Sequence, residues 1–438
     1  MKVLIIGNGG RENAIAKSIF NAKSFKQTNS VLYVTIGSPG LNKYCKSINI
    51  KPTEIDKLAL FALKEKIDFT VVGPEIPLSL GIVDLFEKQG LKIFGPSQKA
   101  AEIETSKIFA KELMQKYRIP TADFTSYNFE TIKDAEEKLL CSKYPIVIKA
   151  DGLAAGKGVI IANNLMEAKK TIEELTKDKI FGDAGVNFII EDFLKGFELS
   201  LFIITDGKDF IALPFSQDHK KSGDGDTGKN TGGMGAYAPA DKLIDKDIYE
   251  NILMEVVEPV LKGMETEGRP YKGCLYCGLM IAESSPGILI PYVIEFNCRF
   301  GDPETQAVLP LIKSDFLDLL LASAENRIKD YKLEIKNSYS CCVILASNGY
   351  PDKYETGKEI IGLDSINENN FIFHSGTKYS SDNKVVTNGG RVLSVVSTSS
   401  KSMKDAIKKC YSNVDKIDFE NKYFRNDIGS KYTAIFKK

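Results

Sequence analysis

Within its first 95 residues the chain switches repeatedly between short apolar runs and segments with helical spacing, and few folds accept that pattern. Residues 3–6, 31–34, 69–72 and 91–94 are short runs of strand character. Residues 12–21, 55–66 and 78–89 carry apolar side chains at helical intervals, as in Ala14, Ile15 and Ile19. Strands alternating with helices predict a parallel, doubly wound α/β sheet. Gly73-Pro74 and Gly95-Pro96 end two successive strands. Such turns lie at the carboxyl edge of the sheet, where open α/β folds bind ligands.

The pattern then changes. One helical segment, 100–117, is expected to stop before Ile119-Pro120, because the residue preceding proline disfavours helix. A small α/β unit follows over 121–190, with strands at 145–150 and 188–191 around a glycine loop and a helix at 165–175. Strands are expected at 199–205, 210–215, 274–282 and 291–297, with a hairpin at Asp206-Gly207 and a long polar loop over 216–236. Residues 340–438 read as a last, β-rich α/β unit with turns at Asn348-Gly349 and Asn388-Gly389. Neither repeats nor low-complexity linkers interrupt the chain, so its domains are expected to pack together.

Composition excludes some functions. Lys plus Arg and Asp plus Glu both total 58. This balance gives no basis for sequence-independent binding to nucleic acid. Hydrophobic residues at 43% and charged residues at 26% are ordinary for a soluble enzyme. No apolar run approaches the roughly 18 residues of a membrane span, and the opening Met-Lys-Val-Leu-Ile-Ile-Gly is too brief for a signal peptide. The eight cysteines are scattered, as expected of reduced thiols in the cytoplasm. Cys274 and Cys277 form a CxxC, but odd spacing on a strand sends them to opposite faces, which favours packing over metal binding.

Residues 293–304, Val-Ile-Glu-Phe-Asn-Cys-Arg-Phe-Gly-Asp-Pro-Glu, carry the densest chemistry. Period two puts Glu295 and Asn297 on one strand face, with Ile294 and Phe296 on the core side. A carboxylate beside an amide oxygen suits a hard cation such as Mg²⁺, and Arg299 adds a group for an oxyanion. Asp302 and Glu304 read as supports of the turn that follows. Gly7-Asn-Gly-Gly-Arg-Glu12 joins a strand to a helix and presents backbone N–H groups to an anion; a plain tight turn is the alternative. The dinucleotide fingerprint would need glycine at position 12, and Thr35-Ile36-Gly37 lacks the acid that should follow the second strand. Those two features oppose a nicotinamide-dependent oxidoreductase. Lys149 lies on a buried strand, which requires a counter-charge. Asp151-Gly-Leu-Ala-Ala-Gly-Lys-Gly158 has the wrong spacing for a P-loop and reads as a glycine flap able to close Lys157 over phosphates, or as an exposed turn. The stretch 191–200 offers a hinge for a base edge with Glu198 for hydroxyls; a solvated loop is the default there. The loop 218–235 has the length of a functional or disordered segment. His219 within it is better suited to hydrogen bonding than to catalysis.

Taken in order, these motifs resemble the phosphoribosylamine–glycine ligase family, also called glycinamide ribonucleotide synthetases. Gly-Pro-Glu75, Ser-Lys107-x-Phe-Ala-Lys111, Asn-Thr-Gly-Gly-Met-Gly-Ala-Tyr237, Gly389-Gly-Arg-Val-Leu393 and Arg425-x-Asp-Ile-Gly429 extend the resemblance over essentially the whole chain. It implies an N-terminal substrate-binding domain over 1–102, an ATP-grasp domain of two α+β subdomains over 103–330 with a small lid at about 121–193, and a C-terminal domain over 331–438. It also implies ligation of glycine to 5-phosphoribosylamine with ATP as co-substrate and Mg²⁺ or Mn²⁺ as cofactor, a step of de novo purine synthesis, through a glycyl phosphate. By the same resemblance, Lys107, Lys149 and the flap's Lys157 would contact ATP phosphates. Glu191, Phe193 and Leu194 would form the adenine hinge, Glu198 would meet the ribose, and Glu295 and Asn297 would hold the metal. Gly9, Gly10, Arg11, Glu12, Lys220, Asp224 and Arg299 would line the amine and glycine sites, with Arg299, Lys149 and Asp224 as catalytic residues. Several positions depart from the family pattern: Asn13 for His, Lys221 for Arg, Lys229 for Pro, Phe197 for an acid and Ser38 for Asn. The rivals are another ATP-grasp carboxylate–amine ligase and a catalytically idle relative; intact Lys149, Glu295 and Asn297 oppose the second, and the loop at 218–237 opposes the first. A stand-alone cytoplasmic monomer is the simplest expectation.

Overall fold

The computed structural model describes residues 1–26, 29–153, 158–176, 187–285, 287–366 and 370–435. The N-terminal alternation folds as its period dictates. Strands β1 (Lys2–Ile6), β2 (Val31–Thr35), β3 (Lys46–Ile48), β4 (Phe69–Val72) and β5 (Ile93–Phe94) form one parallel sheet in the order β3-β2-β1-β4-β5. Helices α1 (Gly10–Asn21), α2 (Ile55–Glu65), α3 (Glu75–Ser79) and α4 (Ile82–Lys88) connect the strands. β4 is buried on both faces, as a central parallel strand must be. The single helix expected over 78–89 is two, because Gly81 adopts a left-handed φ of 83° between them.

The helix expected over 100–117 is also two, α5 (Gln98–Thr105) and α6 (Lys107–Lys116). Ser106 is extended (φ −129°, ψ 110°), and its Oγ accepts the Phe109 N–H as the N-cap of α6. Apolar periodicity runs through both helices, which hides the break in the sequence. The break places Lys107 at the first position of α6.

The small unit is an antiparallel sheet, β6 (Phe124–Tyr127), β7 (Ile146–Ala150), β8 (Val159–Ala162) and β9 (Phe188–Asp192), in the order β6-β9-β7-β8. Helices α7 (Ile132–Cys141) and α8 (Leu165–Thr176) cover it. Its core, with Leu139, Ile148, Ile172 and Phe188, is separate from the others. The larger subdomain is built on β10 (Gly196–Thr205), β11 (Phe210–Ala212), β16 (Gly273–Ser285) and β17 (Ile288–Asn297), antiparallel in the order β11-β10-β16-β17. Between β11 and β16 come β12 (Gln217–Asp218), the hairpin β13 (Lys221–Gly223)–β14 (Thr227–Asn230), β15 (Gly235–Ala238), and α9 (Lys246–Asn251) and α10 (Glu258–Thr266) joined by a π-helical stretch at Ile252–Val257. Helices α11 (Glu304–Val308) and α12 (Phe316–Ala324) follow β17.

The C-terminal unit contains β18 (Tyr339–Ser347), β19 (Asn370–His374), the hairpin β20 (Thr377–Tyr379)–β21 (Val385–Thr387), β22 (Arg391–Ser399) and α13 (Met403–Val414). Its main sheet runs β12-β15-β18-β22-β19, with Gly235 opposite Val343. Two strands from the long central loop thus complete the C-terminal sheet. Phe300 welds the units together: it stacks on Phe94 at 6.1 Å and meets Phe202 and Phe316 at 5.4 and 6.0 Å. Cys274 and Cys277 enter different cores, as their spacing requires. No helix among the described residues is long and apolar enough to cross a membrane.

Candidate functional site

β17 organises the site. Glu295 and Asn297 share a face, and Asn297 Nδ2 donates to Glu295 Oε1 at 3.4 Å. Ile294 departs from the expected alternation. The register between β16 and β17 slips between Gly278 and Leu279, which face Glu295 and Val293. Ile294 is therefore an extra, bulged residue and only half-buried, not a core residue. Its freed carbonyl accepts Lys149 Nζ at 2.9 Å. The bulge thus brings the β7 lysine to the face that carries Glu295 and Asn297.

Three lysines surround Glu295. Lys220, just after β12, lies 3.3 Å from its Oε1; Lys149 and Lys107 add their charges. Burial alone would raise the Glu295 pKa, but these three ammonium groups and the Asn297 hydrogen bond bring it down to about 2. Lys220 has the opposite balance. Burial opposes its charge, yet Asp218, Tyr276, Glu295 and Glu198 hold its pKa well above the usual range. Lys107, at the start of α6, donates to the Gly152 carbonyl at 2.9 Å. Asp151 beside it accepts the Ile108 N–H at 3.2 Å, so the root of the glycine flap is tied to the helix start. Lys157 lies outside the described residues.

An ionised carboxylate next to an amide oxygen, ringed by ammonium groups, fits a divalent cation that arrives with phosphates. Mg²⁺ is commonly held by one or two protein ligands together with phosphate oxygens and water. Among the described residues no group of three His, Cys, Asp or Glu is arranged to hold an ion alone.

Arg299 is more heavily engaged than a free substrate clamp. Its Nε meets Glu75 at 3.2 Å, and Nη2 meets Glu104 at 2.8 Å and Asn297 Oδ1 at 3.3 Å. Nη1 donates to the Phe300 carbonyl at 3.3 Å. Most of its donors are thus committed, tying β17 to α3 and α5. Arg11 donates to the same Phe300 carbonyl at 3.1 Å. Glu12 turns inward: it accepts the Gly9 N–H at 2.6 Å and Arg11 Nε at 2.6 Å. Gly10 faces the C-terminal unit, where a Cβ would collide with Ser375 Oγ and lie 2.9 Å from Gln306 Nε2.

Asp224 is not brought to this cluster. It lies beyond β13 and accepts the backbone and side-chain N–H groups of Asn426 at 2.8 and 3.0 Å. Arg425, fully buried, holds Asp226 and Asp427 beside it. The Asp224 carboxylate serves the junction between loop and C-terminal unit, a contact across two hundred positions that spacing cannot reveal. Phe193 is exposed and Leu194 half-buried after β9. Burial, with Asp218 and Glu295 nearby, raises the Glu198 pKa despite Lys220.

Three of the departures acquire physical accounts. Asn13 Oδ1 accepts the His374 N–H at 2.8 Å, fastening α1 to β19. Lys229 reaches Asp352 at 2.8 Å. Ser38 Oγ accepts the Leu41 N–H at 3.4 Å. Glu75, Glu104, Asp218 and Glu304 also enter the site. Burial and the neighbouring Asp218 push Glu304 up to about 7. Gly-Pro-Glu75 carried a signal in its place after a strand; Glu104, inside a helical pattern, carried none.

A small subdomain with its own core, the Glu295–Asn297 face of β17 and lysines converging from three elements fit an ATP-grasp enzyme. Known proteins agree. Residues 1–104, 105–305 and 340–431 match the N, ATP-grasp (A) and C domains of the phosphoribosylglycinamide synthetase family. A phosphoribosylamine–glycine ligase of Caldanaerobacter subterraneus is 45% identical over 432 residues, covering 99% of this chain and 100% of that protein. One from Escherichia coli is 44% identical, with 98% of each covered. The solved phosphoribosylamine–glycine ligase of Thermotoga maritima superposes with a TM-score of 0.83 at 34% identity, over 98% of this chain and 100% of that one. A biotin carboxylase domain from Hydrogenobacter thermophilus, solved with MgADP, shares the fold at TM-score 0.72 and 15% identity, over 97% of this chain and 91% of that one. The chain belongs to the phosphoribosylamine–glycine ligase family, whose members are ATP-grasp ligases.

Proposed function

We propose that this chain joins glycine to 5-phosphoribosylamine with cleavage of ATP, giving glycinamide ribonucleotide, ADP and phosphate. The observation that carries this reading is the Glu295–Asn297 pair on a bulged strand, met by Lys107, Lys149 and Lys220 from separate elements. A glycine carboxylate oxygen attacks the γ-phosphorus, the bond to ADP breaks, and glycyl phosphate forms. The amine nitrogen of phosphoribosylamine then attacks the glycyl carbonyl carbon. Phosphate departs with the carbon–oxygen bond, and the amine loses its proton.

In this reading Lys107, Lys149 and Lys157 hold the phosphates, Glu191, Phe193 and Leu194 the base, and Glu198 the ribose. Glu295 and Asn297 hold the ion, Mg²⁺ with Mn²⁺ as its substitute, which when bound supplies a Lewis acid for the transferring phosphoryl group. Lys220 and Arg299 draw the glycine carboxylate, while Gly9, Gly10 and Arg11 line the amine site and Glu12 braces them. Asp224 contributes through the loop it anchors. Positioning replaces a general base, because a free amine needs no activation to attack an acyl phosphate. The flap at 152–158 keeps water from the acyl phosphate. We place the enzyme in the cytoplasm as a monomer; its eight free cysteines support a reducing compartment.

The test is phosphate release from ATP with glycine and freshly prepared phosphoribosylamine, omitting each in turn. Release should need all three. Turnover without phosphoribosylamine, or none with the full set, would overturn the assignment.

A further inference from the structure

Next to the metal face, one carboxylate is held by two ammonium groups. Glu191, 4% exposed, receives Lys149 Nζ at 2.9 Å and Lys111 Nζ at 3.2 Å, both on Oε2. Among the described residues its Oε1 is buried and has no hydrogen-bond partner. Leaving a buried charged acceptor unpaired is costly, so an N–H group belongs there when the site is filled. Lys111 is 2% exposed and tethered on other sides. It donates to Thr121 Oγ1 at 2.7 Å and to the Ala122 carbonyl at 3.2 Å. Thr121 Oγ1 in turn donates to the Val293 carbonyl at 2.8 Å, beside the β17 bulge. The function proposed above uses Glu191 and Lys149 and leaves Lys111 without a task.

We infer that Lys111 is a positioning residue for nucleotide recognition: it pins Glu191 Oε2 so that Oε1 faces the base as a bare acceptor, which selects a base with an exocyclic amino group over one with a carbonyl. The chemistry is directional. An ionised carboxylate only accepts hydrogen bonds, so an amino group completes the pair and an oxo group sets two acceptors against each other. Two lysines on one carboxylate also leave a surplus positive charge, which Lys149 can offer to phosphate while Lys111 stays on Glu191. Without Lys111, Glu191 would follow Lys149 alone, and Oε1 would lose its fixed direction. The inference rests on the ATP-dependent reading of the site.

Calorimetric titration with ADP and with IDP, without glycine or amine, tests it. The unaltered protein should bind ADP about tenfold or more tighter than IDP, the range of one charge-assisted hydrogen bond. In Lys111→Met that preference should collapse. KM for ATP should rise by about tenfold, with kcat and KM for glycine changed by less than about threefold. Lys111→Arg should recover part of the preference. A merely structural lysine would lower the melting temperature without altering the ADP-to-IDP ratio, and a folded Lys111→Met with an unchanged ratio would overturn the inference. Should Lys111→Met not fold, equal affinity of the unaltered protein for ADP and IDP would overturn it just as well. Selective ADP binding without ligation would sink the substrate assignment while supporting this inference. Ligation without base selectivity would do the reverse.

Discussion

At the scale of single residues, the site depends on charges that burial would suppress without partners. Glu295 stays ionised because lysines outweigh its desolvation. Glu295→Ala should lower divalent-dependent phosphate release by about a hundredfold or more, the size of a lost electrostatic contact at a reacting centre, with an unchanged circular dichroism spectrum. Near-normal turnover would remove Glu295 from the metal site. Arg299→Ala should act on the fold as well, because it strands Glu75 and Glu104, which the guanidinium now pairs. Breaking one side of a buried ion-pair set costs about 3–5 kcal/mol; urea unfolding would measure it, and a loss below about 1 kcal/mol would contradict this role. Glu295 and Asn297 were legible in the sequence because strand period two needs no tertiary knowledge. The carboxylates that hold Arg299 are not legible as its partners, because Glu75 and Glu104 lie some two hundred positions away and meet it only through packing.

At the scale of elements, breaks in periodic structure place the chemistry. Ser106 splits one apolar helical pattern into two helices and sets Lys107 at the start of the second. Removing its cap by Ser106→Ala should cost about 1 kcal/mol in chemical denaturation and raise KM for ATP more than KM for glycine. Equal effects on both would mean that the break does not position Lys107. The bulge at Ile294 acts in the same way, turning a carbonyl toward Lys149. Hydrophobic pattern records which face is apolar and not where a register slips, so helices and strands could be read along the chain while these two irregularities could not.

For the whole molecule, the three units are joined by polar contacts inside packed cores, and the two histidines report on that packing. Burial, with Arg425 and Lys431 nearby, lowers His219 to about 4; burial, with Lys43, lowers His374 to about 3. An unfolded imidazole titrates near pH 6.5, so below that pH the unfolded chain binds more protons than the folded one. The stability carried by these sites is therefore fully present above about pH 6.5 and is lost as pH falls towards 3–4, by up to about 1.4 kcal/mol per pH unit for each imidazole. Scanning calorimetry from about pH 7 to 5 should show the melting temperature falling more steeply for the unaltered protein than for a His219→Gln, His374→Gln double variant. Equal slopes would refute buried neutral imidazoles. The sequence by itself determined the parallel N-terminal sheet, the order of units and the Glu295–Asn297 face, since local period and turn chemistry suffice for these. Only the tertiary structure decided that β12 and β15 complete the C-terminal sheet, that Asp224 serves a junction, and that Lys111 meets Glu191. Those outcomes depend on which distant groups share a desolvated space, and no local pattern encodes that.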